Sequence, residues 1–140
     1  MTVLTDMTSA QAAGLWSGLM ILLLVVLGAR VAVARRGNKV VLGDGGNASV
    51  MLASRIFGNA SEYIPAGIAA LAVLVLLGMP AYVLHGLGGA LFLGRLIHAV
   101  TLSDQRPTMG RIIGMGLTWL TLILAGLMLI VHAFVGSPHG

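Results

Sequence analysis

The sequence predicts an all-α membrane protein built as a bundle of four transmembrane helices. Composition is the first reason: 58% of the 140 residues are hydrophobic and only 9% charged, against about 25% charged in soluble domains. The second is patterning, because four charge-poor stretches are each long enough to cross a hydrocarbon core, which takes about 20 apolar residues. The third is that the charges gather between those stretches. A mean hydropathy of +1.01 fits a single integral membrane domain over residues 1–140.

The first span is expected over residues 12–34. It contains Leu15-Trp16 and the run from Leu19 to Leu27, with no charge between Asp6 and Arg30. No basic residue precedes it and no cleavage pattern follows, so it reads as a retained helix rather than a secretory signal. Between Glu62 and Arg95 there is no fixed charge, a stretch too long for one span. Gly78-Met79-Pro80 breaks it, since glycine ends helices and proline cannot continue one. Spans two and three are therefore expected over residues 48–77 and 81–102, and span four over residues 109–135.

Arg30, Arg35, Arg36 and Lys39 oppose only Asp44 between spans one and two, and Arg106 and Arg111 oppose Asp104 between spans three and four. The 78–82 turn carries no charge, and the N-terminal tail only Asp6. The positive-inside rule then places both long loops in the cytoplasm and both termini outside. The short loops suit a bacterial inner membrane. The high pI follows from these loop arginines; no basic patch with aromatic readers is present to suggest a nucleic-acid partner. Absence of cysteine excludes disulfides, thiolate metal sites and cysteine nucleophiles. His85 and His132 are not spaced with a carboxylate as metal ligands and are expected to pack or lie at interfaces; no metal is expected.

One segment breaks the apolar pattern: Arg55-x-x-x-Asn59-x-x-Glu62-Tyr63-x-Pro65 in span two. An ionised side chain at bilayer depth costs about 2.5–3.5 kcal/mol on insertion scales, so these groups need partners or a ligand. Arg55, Asn59 and Glu62 fall at i, i+4 and i+7 on one helix face, with Tyr63 at its edge. Arginine offers a fork for a carboxylate, asparagine a donor and an acceptor, and glutamate an acceptor for an ammonium. The set suits a small zwitterion with both ends free. Pro65 is expected to free carbonyls on the preceding turn. Arg55 and Glu62 lie about 10 Å apart along the helix axis, too far to pair directly. Arg95, near the end of span three, is the expected counter-charge for Glu62 or a second anion clamp. His98, at i+3 from Arg95, reads as an interfacial imidazole rather than a catalytic group. The alternative is architectural: the row pairs with other helices and only holds the bundle together. Gly14-x-x-x-Gly18, Gly110-x-x-x-Gly114 and the cluster Gly86, Gly88 and Gly89 mark faces for close helix contact, within or between subunits.

The row from Arg55 to Pro65, Gly94-Arg95-x-x-His98 closing span three, and Arg111-Ile112-Ile113-Gly114-Met115 opening span four together resemble the MAPEG family, the membrane-associated proteins in eicosanoid and glutathione metabolism. The resemblance covers about residues 30–129, and its later segments are most similar to bacterial members of uncharacterised activity. It implies a homotrimer of four-helix subunits, with glutathione as cosubstrate held between neighbours on the cytoplasmic side. By position, Arg55, Asn59, Glu62, Tyr63 and Arg95 would hold the tripeptide, with His98 beside them and Arg35 or Arg36 reaching a carboxylate. Arg106 or Arg111 would be the thiolate-activating cation. Where family enzymes commonly have tyrosines near the end of span three, this chain has His98 and Leu102. The expected activity is glutathione transferase or peroxidase-like chemistry on hydrophobic electrophiles that partition into the bilayer. Two other readings stay open: a small proton-coupled multidrug-type transporter using Glu62, and a non-catalytic membrane assembly subunit.

Overall fold

The computed structural model describes residues 7–102 and 108–135. Four helices follow in chain order: α1 (Ser9–Gly37), α2 (Ala48–Leu76), α3 (Ala81–Thr101) and α4 (Met109–Val135). All four are long and apolar enough to cross a membrane. The described residues contain no strand, so the expected all-α four-span architecture is the one observed. The expected single break between Glu62 and Arg95 falls at Gly78, and Pro65 lies inside α2 without ending it.

Local chemistry sets the helix ends. Thr8 caps α1 in a capping box, its hydroxyl accepting from the Gln11 N–H while the Gln11 side chain accepts from the Thr8 N–H. Asn47 caps α2, its Oδ1 accepting from the N–H groups of Ser49 and Val50. The C-terminus of α2 closes through Gly78, whose φ of +75° lets the Met79 N–H reach back to the Leu74 carbonyl at 3.0 Å. This is the left-handed glycine stop that satisfies the last carbonyls of a helix. Pro80 then starts α3 from an extended backbone. The Ser9 hydroxyl donates to the Met79 carbonyl at 2.7 Å, tying the start of α1 to this turn.

The packing is a diamond rather than a closed ring. α2 and α3 form the shared diagonal, α1 and α4 flank it, and α1 does not touch α4 among the described residues. Two glycine-based contacts set the distances. Gly88 and Gly89 of α3 lie under the indole of Trp16 from α1, so a Cβ at Gly88 would collide with the ring. Gly94 of α3 faces Gly114 of α4 so closely that a Cβ on Gly114 would stand 2.7 Å from the Gly94 carbonyl and 2.8 Å from the His98 backbone nitrogen. Of the glycines singled out from the sequence, Gly110 also packs, against Thr101, whereas Gly14, Gly18 and Gly86 have open space where a Cβ would go. Small residues thus bring α4 onto α3 within the subunit.

Gly114→Ala is expected to destabilise the protein by about 1–3 kcal/mol, because backbone atoms cannot yield to the added methyl group. Gly116→Ala, on the same helix with open space at its Cβ, is expected to leave stability unchanged. Thermal unfolding of the two variants in detergent compares them directly.

Candidate functional site

At the end of the bundle where α2 begins and α3 finishes, a cleft of about 440 Å³ opens between α2, α3 and α4. Its α2 wall consists of Met51, Leu52, Ser54, Arg55, Gly58, Asn59 and Glu62, the successive turns of one helix face. His98 of α3 and Leu102, the residue capping that helix, close it on one side, and Arg111 from the first turn of α4 on another. Arg55, Glu62 and Arg111 are exposed, while His98 is buried except for the edge it shows the cleft. The cleft therefore presents two guanidinium groups, one carboxylate, one amide and one imidazole. It can receive a molecule carrying both signs of charge.

Arg95 occupies a different environment. It is 1% exposed and does not line the cleft. Its Nε donates to Thr118 Oγ1 at 2.9 Å, one terminal nitrogen donates to Asn59 Oδ1 at 2.7 Å, and the other donates to Met115 Sδ at 3.2 Å. The guanidinium carbon stands 5.2 Å from the centroid of the Tyr63 ring, within cation–π range. Thr118 passes its own proton to the Gly114 carbonyl at 2.8 Å, so its oxygen is oriented towards Arg95. The acceptors that meet Arg95 thus come from α2 and α4 and are uncharged. The expectation that Arg95 is the counter-charge of Glu62 is corrected here: its hydrogen bonds go to neutral groups behind the cleft wall.

Asn59 joins the two environments. Its Oδ1 faces inward to Arg95 while the residue also lines the cleft. Arginine can only donate, so the amide is held with its oxygen inward and its NH2 group left as the free donor. Tyr63 stands at the other edge of the helix face. Its hydroxyl accepts from Trp119 Nε1 of α4 at 3.3 Å, and its ring faces Arg95 rather than the cleft.

Of the residues singled out from the sequence, Arg55, Asn59, Glu62, His98 and Arg111 come together in one cleft. Tyr63 and Arg95 form its support. Arg35 and Arg36 end α1 and do not line it; Arg35 instead reaches the Val41 carbonyl at 3.4 Å. Arg106 lies outside the described residues. Thr118, Met115 and Trp119 were not anticipated in these roles. A lone hydroxyl at Thr118 within an apolar span, four residues after Gly114, was the available signal. His85 accepts from Trp16 Nε1 at 3.1 Å through Nδ1, and His132 is bonded to the Met128 carbonyl, both outside the cleft.

Asn59→Ala is expected to cost about 1.5–3 kcal/mol of stability, the range for a hydrogen bond to a charged group, because it removes the 2.7 Å side-chain acceptor of a buried guanidinium. Arg55→Ala, at an exposed position, is expected to leave the unfolding temperature almost unchanged. Parallel thermal melts check the contrast.

Comparison with known proteins places the chain in a family. Residues 13–131 match the sequence profile of the MAPEG family. The chain is 36% identical over 110 residues to the inner membrane protein YecN of Escherichia coli (strain K12), covering 79% of this chain and 83% of YecN. The same identity and coverage hold for YecN of a second Escherichia coli strain. No solved structure matches the chain. With nearly the whole membrane domain inside the matched region, the chain belongs to the MAPEG family.

Proposed function

We propose that the cleft binds glutathione and activates its thiol for transfer to hydrophobic electrophiles, with transferase or peroxidase-like chemistry. The observation that carries this reading is the placement of Arg55, Glu62 and Arg111 around one 440 Å³ space. Glutathione carries two carboxylates, one ammonium and an ionisable thiol, and the cleft offers one guanidinium for a carboxylate, one carboxylate for the ammonium and a second guanidinium for the thiolate. Its volume lies in the usual small-ligand range of about 300–1,000 Å³. Family membership supports the ligand.

In this reading Arg55 takes one carboxylate, Glu62 takes the ammonium, and the outward NH2 of Asn59 donates to a peptide carbonyl or carboxylate. Arg95 is a positioning residue: it fixes the Asn59 amide and touches no substrate. Arg111 is the described cation able to stand beside the sulfur. A neighbouring positive charge favours the thiolate over the thiol. The thiol proton passes to water; the thiolate sulfur then attacks the electrophilic centre, the bond from sulfur to that centre forms as the bond to the leaving group breaks, and the leaving group departs with its electron pair. A cleft within a membrane-spanning bundle suits a substrate that arrives through the bilayer.

Arg55 and Glu62 are exposed in the single chain, so the cleft stands open on one side. A homotrimer, with a neighbour closing that side and the loop-bearing end facing the cytoplasm of a bacterial inner membrane, completes the proposal. The multidrug-type transporter reading needs a carboxylate without compensating charge in the membrane. Glu62 shares its cleft with Arg55 and Arg111, which disfavours it.

Isothermal titration of glutathione into the detergent-purified protein is the direct test. Arg55→Ala and Glu62→Gln are each expected to weaken binding by about tenfold or more, as loss of one charged hydrogen bond implies. Arg111→Ala is expected to retain binding but lose the ultraviolet absorbance of the bound thiolate. Absence of glutathione binding in the unmodified protein overturns the proposal.

A further inference from the structure

The loop between α1 and α2 is ordered, yet it presents its apolar side chains to the outside. α1 ends at a left-handed turn on Lys39, φ 57°, where the Lys39 N–H meets the Arg36 carbonyl and the Val40 N–H meets the Arg35 carbonyl at 2.9 Å. This arrangement stops the helix and reverses the chain. Asn38 then staples the loop: its Nδ2 donates to the Ala34 carbonyl and to Ser49 Oγ, and its Oδ1 accepts from Asn47 Nδ2 at 2.8 Å. Asp44, the loop's only carboxylate, is turned onto the Gly46 N–H at 3.0 Å. The held loop leaves Val41 and Leu42 94% and 88% exposed. Two adjacent aliphatic side chains fixed in that state call for a covering phase.

The position of the loop and its charge identify the cover. From Ser9 to Arg30 the helix is uncharged and rises about 32 Å at 1.5 Å per residue, close to the ~30 Å hydrocarbon thickness. The last two turns of α1 therefore stand in the headgroup layer. The reversal at Lys39 keeps residues 40–42 at that level instead of extending them into water. Arg30, Arg36 and Lys39 are exposed around the tip and Arg35 is half-buried. A second copy of the same loop would set these cations against their equivalents, whereas a lipid phosphate complements them.

We propose that the 38–47 loop is a membrane-surface anchor that binds anionic phospholipid, with Val41 and Leu42 entering the acyl boundary while Lys39 and Arg36 contact headgroup phosphates. Neither Lys39, Val41 nor Leu42 lines the cleft, so this anchor does not depend on the glutathione reading.

The chain has no cysteine, so Leu42→Cys carries a single nitroxide in the 140-residue chain. In nanodiscs of phosphatidylcholine containing phosphatidylglycerol, the label is expected to relax faster with oxygen than with a water-soluble nickel chelate. Native mass spectrometry reads the headgroup contact. Lys39→Gln is expected to lower phosphatidylglycerol retention about fivefold, the effect of one cation near an anionic surface, with phosphatidylcholine retention unchanged. Arg55→Ala is expected to change neither. A label at 42 that stays accessible to the nickel chelate overturns the anchor. So does a label that becomes protected in lipid-free detergent as protein concentration rises, which would mean that a second copy covers the tip. Phosphatidylglycerol retention unaffected by Lys39→Gln overturns the headgroup contact.

Discussion

The interaction on which the rest of the structure depends is the burial of the Arg95 guanidinium. Arginine stays protonated under all ordinary conditions, so a bundle that encloses it must bring acceptors to it. Here they come from two helices, Asn59 on α2 and Thr118 and Met115 on α4, around a residue of α3. Each contact has a short reach, so the three helices are locked in depth and rotation relative to one another. The lipid-facing side of α4 supplies no such constraint, because apolar contacts there are interchangeable. A single buried charge therefore sets the register of the half of the bundle that carries the cleft.

That arrangement requires α3 and α4 to approach closely, and the Gly94–Gly114 contact permits it. Without a Cβ on either residue, the backbones meet and Thr118 comes within 2.9 Å of Arg95 Nε. The same Gly114 carbonyl accepts the Thr118 proton. Packing and polar satisfaction are therefore one feature seen from two sides. At the opposite end Trp16, resting on Gly88 and Gly89, fixes α1 against α3 by shape and by its hydrogen bond to His85.

The polar row of α2 divides along this support. On the row, Arg55 and Glu62 line the cleft without an ion-pair partner among the described residues, Asn59 turns its oxygen inward and its NH2 outward, and Tyr63 covers Arg95. The sequence placed these residues on one helix side from their spacing, and that spacing is what lines them along the cleft. It could not separate ligand contacts from supporting groups, because a helix face spans enough arc to touch both. The architectural reading of the row thus describes Asn59 and Tyr63, which meet Arg95. Arg95 and Asn59 hold the bundle, while Arg55 and Glu62 line the cleft beside them.

The sequence by itself determined that the chain crosses a membrane four times and that Gly78 to Pro80 divides the long apolar stretch. It also singled out the row Arg55–Asn59–Glu62 as the chemically unusual face. These follow from local physics: the cost of charge in hydrocarbon, the 3.6-residue period, and the conformations open to glycine and proline. Tertiary structure alone decided that Arg95 bonds to Asn59 and Thr118 rather than to Glu62, that Arg111 joins the cleft, and that Arg35 turns to its own loop. Those outcomes depend on helix rotation and on distances between segments far apart in the chain. A guanidinium pairs with whichever acceptor packing brings within about 3 Å, and spacing along one helix carries no information about its neighbour.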